Sequence, residues 1–268
     1  MRENQLVSLL GICLRAGNEI LDVYEQDFEV EIKADHSPLT QADKRAHRVI
    51  VEGLEALDAQ YPILSEEGAE ITYGERKGWN RFWLVDPLDG TKEFVKKNGE
   101  FTVNIALIED NYPVQGAIYA PVLDTFYYGI IGEGAYKLEN ASKAPVTTEE
   151  ELFQASSKLP ETNDPGRIHV VASRSHMSEE TRKFIDDQEA KGLEVDVLSA
   201  GSSLKFCLVA EGRADFYPRF APTMEWDTGA GQAIVEAAGG TVIRHDNNER
   251  LDYNREDLTN PWFLVKMR

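Results

Sequence analysis

Cysteine is scarce in this 268-residue chain, which has only Cys13 and Cys207. Both sit in apolar, helix-like surroundings, so buried reduced thiols are expected, although a disulfide between them is left open by the sequence. No Cys/His cluster has zinc-finger spacing. Long apolar runs are missing too. The polar start, with Arg15 and Glu19 interrupting the apolar residues that follow, fits neither a signal peptide nor a membrane span, and the expected location is the cytoplasm. Positive charge is in short supply: 28 Lys and Arg stand against 47 Asp and Glu, a net charge of −19. An acidic surface repels nucleic-acid phosphates and anionic membranes, which argues against a nucleic-acid partner and gives no strong membrane signal. It leaves room for a small anionic ligand bridged to the protein by a metal cation. There is no P-loop, no G-x-S-x-G, no internal repeat and no low-complexity tract, and Gly229-Ala230-Gly231 lacks the remaining dinucleotide-binding glycine.

What is present is an ordinary globular composition, 42% hydrophobic and 28% charged. For a mass of 30.1 kDa, area scaling gives roughly 12,000 Å² exposed when folded against about 44,000 Å² unfolded, enough burial to need no staple. Helical periodicity predicts a helix over 4–25 and a second one after Thr40, where Asp43 completes a capping box. Between them, Val30–Lys33 reads as a short strand and Ala34–Thr40 as a loop punctuated by Pro38. Residues 81–85 read as a buried strand that stops at Asp86. Runs at 101–108, 113–120, 125–131 and 135–138 then read as an antiparallel meander. Residues 139–166 are polar with three prolines and read as a connector with room for one short helix. From 168 onward strands (168–172, 193–198, 214–218, 240–244) alternate with helices (178–190, 202–211, 228–238), an α/β layer. The expected division is an α+β half at 1–145 and an α/β half at 146–268.

Three acidic stretches could carry chemistry. In Trp83-Leu84-Val85-Asp86-Pro87-Leu88-Asp89-Gly90-Thr91, a strand runs into two aspartates separated by a proline and followed by glycine. Pro87 biases Asp86 toward extended backbone, and Gly90 permits a sharp turn. Both carboxylates can then face one site and share hard cations such as Mg²⁺. A strand-ending turn with two solvated aspartates is the competing reading, since Asp-Pro and Asp-Gly are common turn dipeptides. Upstream, Ile63-Leu64-Ser65 ends in Glu66, Glu67 and Gly68, which alone reads better as a solvated loop. Downstream, Asp227 precedes the apolar helix at 228–238 and fits its N-cap, a position also suited to a metal–phosphate pair.

Together the segments SEE, WLVDPLDGTKEF and WDTGAGQAIVEAAGG resemble the signature motifs of the inositol-monophosphatase-like, lithium-sensitive magnesium phosphatases. Within them, DPLDGTKEFVKKNGEFTVNIALI, GSSLKFCLVAEGRADFYPRF and SRSH resemble the 3′(2′),5′-bisphosphate nucleotidases of the bacterial CysQ type. The resemblance runs from the first helix to the C-terminus. It implies a layered α/β/α/β/α sandwich of the sugar-phosphatase type and two or three Mg²⁺ per site. It also implies roles by position. Glu66, Asp86, Asp89 and Asp227 would bind metal through carboxylates, and Leu88 through its carbonyl. Asp43 and Thr91 would orient the attacking water. Gly90 and Thr91 would offer N–H groups to the phosphate. Ser175, His176, Ser202, Lys205 and Arg219 would join Glu66, Leu88, Asp89 and Asp227 around the substrate.

The activity implied is hydrolysis of the 3′-phosphate of adenosine 3′,5′-bisphosphate to AMP and phosphate, in support of sulfate assimilation. Phosphate-monoester hydrolysis is among the slowest uncatalysed reactions, and clustered carboxylates holding Mg²⁺ answer that difficulty. An inositol or sugar phosphatase of the same superfamily is the alternative, and a non-catalytic metal-binding protein on the same fold is a rival of another class. The resemblance adds peripheral attachment to the inner membrane as an option. Oligomeric state is not legible.

Overall fold

The computed structural model describes residues 4–26, 30–32, 38–57, 60–161, 167–172 and 177–267. The chain opens with α1 (Gln5–Tyr24), whose apolar stripe buries Leu6, Leu9, Cys13, Ile20 and Val23. Strand β1 (Val30–Ile32) pairs antiparallel with β2 (Pro38–Thr40), so the tail of the expected loop is a strand; 33–37 lie outside the described residues. Helix α2 (Gln41–Glu55) starts at Thr40 with the expected capping box: the Thr40 hydroxyl accepts Ala42 N–H at 3.1 Å, and Asp43 Oδ2 accepts Thr40 N–H at 2.7 Å.

A seven-stranded sheet follows, in the order β3 (Ile63–Ser65), β4 (Arg81–Asp89), β5 (Thr102–Glu109), β6 (Tyr112–Ala120), β7 (Thr125–Ile130), β8 (Gly134–Glu139) and β9 (Ser157–Leu159). Only the β3–β4 pair is parallel. The short helices α3 (Tyr73–Arg76) and α4 (Thr91–Val95) flank β4. The 139–166 connector holds α5 (Glu149–Ala155) and supplies β9, which pairs with β8. Both faces of this sheet are buried. With period-two alternation, Trp83, Val85, Val103 and Ile105 pack toward α1 and α2, while Phe82, Leu84 and Ala106 pack the other way.

A second sheet runs in the order β11 (Val195–Ser199), β10 (Ile168–Ala172), β12 (Phe216–Arg219), β14 (Phe263–Lys266) and β13 (Thr241–Arg244). The β10 pairs are parallel, as strand–helix alternation predicts. Strand β14 was not anticipated; it inserts antiparallel between β12 and β13. Helices α7 (Leu204–Ala210) and α8 (Gly229–Ala237) lie between the two sheets, and α6 (Glu179–Glu189) covers the outer face of the second, with Phe184 edge-on to Phe216 at 5.4 Å. The stack is therefore α1/α2, sheet, α7/α8, sheet, α6: the five-layer sandwich expected. Gly116 on β6 is what lets α8 lie so close, since a Cβ there would meet the Ala230 carbonyl oxygen at 2.3 Å. The exposed area, 12,758 Å², matches the mass scaling. Both cysteines are buried free thiols.

One local departure from the sequence expectation positions the site. Strand β4 does not stop at Asp86; it runs on to Asp89 through a bulge. Asp86 pairs with Asn104 and Asp89 with Thr102, so three steps on β4 oppose two on β5. Residues three apart on a regular strand point to opposite faces, and one extra residue reverses that parity. Pro87 has no N–H to contribute to a ladder, and its neighbour Leu88 donates N–H to Asp86 Oδ1 at 3.0 Å instead.

Candidate active site

The site is assembled at the end of β4. Strand β3 runs parallel beside it, and Glu66 just past its end donates N–H to the Val85 carbonyl at 3.1 Å. The bulge turns Asp86 and Asp89 into one cavity, which Glu66, Leu88, Thr91 and Asp227 also line, with a volume of about 240 Å³. Ligand atoms of Glu66, Asp86 and Asp227 all lie within 4.8 Å of one another, although the last comes from the far half of the chain. Asp89 is not in that trio, and its Oδ2 is turned toward Ser203 at 2.8 Å.

Asp227 is not the N-cap of α8. Thr228 holds that position, while Asp227 ends a 3₁₀ turn, Glu225–Asp227, and its Oδ2 accepts Met224 N–H at 2.9 Å. The turn itself is anchored from a distance: fully buried Glu225 accepts N–H bonds from Asn254 at 2.7 Å and Arg255 at 3.0 Å.

Electrostatically the trio is frustrated. Asp86 is pushed well above the ordinary carboxylate range by burial first, then by the charges of Glu66, Asp89 and Asp227. Asp227 is raised likewise, by burial and then by Asp89. Crowded carboxylates removed from water take up protons, the Arg219 charge only partly offsets this at Asp227, and a divalent cation among them would relieve both penalties. Every donor here is a hard oxygen, the set that suits Mg²⁺ or Ca²⁺ rather than a soft metal.

Beside the carboxylates, the Thr91 hydroxyl lies 3.3 Å from Asp43 Oδ1 and 3.3 Å from the Leu88 carbonyl. Asp43 is buried, its other oxygen held by the Thr40 N–H and hydroxyl at 2.7 Å each. Gly90 precedes Thr91 at φ 91°, a left-handed conformation that glycine adopts without strain.

A second cavity of about 170 Å³ adjoins the first and shares Asp89, Gly90 and Asp227 with it. Ser202, Lys205, Tyr217 and Arg219 line it. Buried Lys205 donates from Nζ to the Ser202 carbonyl at 2.7 Å and sits 5.6 Å from the centre of the Tyr217 ring; burial lowers its ammonium to about 8. Arg219 Nε is buried with no hydrogen-bond partner among the described residues. Two cationic side chains thus face a cavity that continues into an acidic one. Ser175 and His176 lie outside the described residues.

Residues not anticipated are Lys92 and Glu93, which line both cavities, and Asn104 and Ser203, which hydrogen-bond Asp89. Asn104 carries a signal in the sequence, as a lone amide in the apolar run 101–108.

The chain resembles known proteins over its whole length. Residues 3–262 match the model of the inositol monophosphatase family. The 3′(2′),5′-bisphosphate nucleotidase CysQ of Salmonella typhimurium is 47% identical, covering 97% of this chain and 98% of the relative. That of Escherichia coli K12 is 45% identical over 94% and 95%. Among solved structures, CysQ from Bacteroides thetaiotaomicron superposes with a TM-score of 0.89 at 47% identity, covering 98% of both chains. A Thermotoga maritima IMPase shares the fold, with a TM-score of 0.73 at 23% identity.

Proposed function

The chain belongs to the inositol monophosphatase family, and on that premise we propose that it is a Mg²⁺-dependent 3′(2′),5′-bisphosphate nucleotidase that hydrolyses adenosine 3′,5′-bisphosphate to AMP and phosphate. The observation that carries this reading is the adjacency of two cavities, one walled by Glu66, Asp86 and Asp227 and the other by Lys205 and Arg219. The first suits the reacting phosphate with its cations. The second suits another anionic group on the same substrate, which a nucleotide bisphosphate has and a simple monophosphate lacks. Relatives at 45–47% identity bear the nucleotidase name.

In this scheme Glu66, Asp86, Asp89 and Asp227 would hold two or three Mg²⁺ ions, and the Leu88 carbonyl would be a further ligand. When bound, such ions neutralise phosphate charge and make water more acidic. Asp43 Oδ1 and the Thr91 hydroxyl form a proton relay. Thr91 Oγ1 takes the proton of the attacking water as its own hydroxyl proton passes to Asp43, 3.3 Å away. The 3.3 Å separation suits a relay that tightens once substrate is bound. Gly90 and Thr91 offer backbone N–H to the phosphate. Attack in line with the leaving ribose oxygen inverts phosphorus, and no phosphoenzyme forms. Ser202, Lys205 and Arg219 hold the 5′-phosphate end, with Ser175 and His176 assigned by resemblance. Residues 1–145 then carry most metal-binding groups and 146–268 the recognition groups plus Asp227. Lithium inhibits, and the enzyme clears a by-product of sulfate assimilation in the cytoplasm. Two buried free thiols suit that reducing compartment.

The deciding measurement is phosphate release at saturating Mg²⁺ from adenosine 3′,5′-bisphosphate and from inositol 1-phosphate, for the parent and Lys205→Ala. The nucleotide should have the higher kcat/KM. The variant should raise KM for the bisphosphate far more than for the monophosphate. A preference for the inositol substrate would establish the alternative, and equal effects on both would remove Lys205 from the 5′-phosphate site.

A further inference from the structure

Asp89 is held by a directed chain of hydrogen bonds that the proposed reaction does not use. Thr102 Oγ1 lies 2.9 Å from Asn104 Oδ1, Asn104 Nδ2 lies 2.9 Å from Ser203 Oγ, and Ser203 Oγ lies 2.8 Å from Asp89 Oδ2. Asn104 Nδ2 is also 3.3 Å from Asp89 Oδ2. The Asn104 amide can be set only one way. Turning the Asn104 amide over would set its oxygen against the Asp89 carboxylate, which accepts and cannot donate when ionised. So the Thr102 hydroxyl donates to Asn104, one amide hydrogen of Asn104 goes to Ser203 and the other faces Asp89, and the single Ser203 proton is shared between Asp89 Oδ2 and the Asp227 carbonyl oxygen, 2.8 and 2.9 Å away. Thr102, Asn104 and Ser203 are all buried, so none of these bonds competes with solvent.

Ser203 also lies 2.9 Å from the Asp227 carbonyl oxygen. It therefore touches the β4 bulge and the 3₁₀ turn that bear carboxylates from opposite halves of the chain. Asp89 Oδ2 is occupied by these two donors, and Oδ1 takes part in neither bond. A carboxylate anchored through one oxygen presents the other in a fixed direction, which is how outer hydrogen-bond partners orient metal-ligating side chains.

We propose that Thr102, Asn104 and Ser203 are positioning residues for the cation site, aiming Asp89 and tying it to the Asp227 turn. The inference rests on Asp89 being a cation ligand. Its test is calorimetric titration of the metal-free full-length protein with MgCl₂, comparing the parent with Ser203→Ala, Ser203→Thr, Thr102→Val and Asp89→Asn. Ser203→Ala should bind Mg²⁺ about 10–100-fold more weakly, and Ser203→Thr, which keeps the hydroxyl, should recover most of the affinity. Thr102→Val touches neither carboxylate and nearly conserves volume; it should weaken binding in the same direction by freeing the Asn104 amide. A purely structural role would lower the melting temperature of the metal-free protein and leave affinity unmoved. If Asp89→Asn loses Mg²⁺ while Ser203→Ala and Thr102→Val bind as tightly as the parent, the positioning role is overturned. If Asp89→Asn itself binds normally, the ligand assignment fails and takes this inference with it.

Discussion

Asp43 has two jobs on two oxygens. Oδ2 closes the capping box of α2, and Oδ1 faces the Thr91 hydroxyl. An amide can keep one acceptor oxygen for the cap but cannot take a proton from Thr91. Asp43→Asn should therefore fold normally and lose about 10²–10⁴-fold in kcat, the usual worth of general-base help. Because Asp43 is outside the carboxylate trio, its Mg²⁺-induced rise in melting temperature should match that of the parent. Near-parental turnover would discard the relay. At this same scale the sequence was legible in part. Thr40 and Asp43 advertise a cap by spacing alone, whereas the proximity of Asp43 to Thr91, 48 residues on, has no local signature. Ser203 was invisible for the same reason: its partner Asp89 is 114 residues away.

Among the elements, α8 and the β4 bulge decide where the charges go. Helix α8 lies against β5, β6 and β7, and Asp227 is positioned just before its first turn. Gly116→Ala would put a methyl group 2.3 Å from the Ala230 carbonyl, backbone against backbone, so the helix must shift. Overpacking of this kind costs about 1–3 kcal/mol, or roughly 2–6 °C of melting temperature for a chain of this size. A shift of the helix also moves Asp227 relative to Glu66 and Asp86, so Mg²⁺ should bind more weakly; thermal melts with and without Mg²⁺ report both effects. An unchanged melting temperature would mean that α8 is not held by that contact. Periodicity predicted α1, α2, α6 and the meander well, because their apolar spacing is set by what lies within one element. It ended β4 too early, because a proline that stops an ordinary ladder is accepted at a bulge. It missed β14, whose place between β12 and β13 depends on neighbours remote in sequence.

For the whole molecule, net charge −19 and a carboxylate trio with buried Asp86 between half-buried Glu66 and Asp227 would couple folding to the binding of a cation. Asp86 and Asp227 have folded pKa values above those of the unfolded chain. Without metal, the folded state then keeps protons that the unfolded state has released. The resulting penalty is absent below the unfolded pKa, grows as pH rises, and is complete above the raised folded values. A Mg²⁺ ion bound there would have to displace those protons, so its affinity should rise through the same window. Binding only the folded state stabilises it by RT ln(1 + [L]/Kd). The Mg²⁺-induced rise in melting temperature should therefore be larger at pH 8 than at pH 5.5, measured against a chelator-treated sample at each pH. Equal rises would show that the bound cation does not compete with these protons.

The sequence by itself carried the helices and the meander through their amphipathic period, and carried the resemblance of the segments at 65–67, 83–94 and 226–240, which implied the family, the five-layer sandwich and the roles of the acidic residues at 66, 86, 89 and 227. Folding alone decided the rest: the extra residue that brings Asp86 and Asp89 to one side, the approach of Asp227 to Glu66, and the serine that links Asp89 to the Asp227 turn. These depend on two sheets closing over a shared pair of helices, and distance through space between residues more than a hundred positions apart is fixed by packing rather than by pattern.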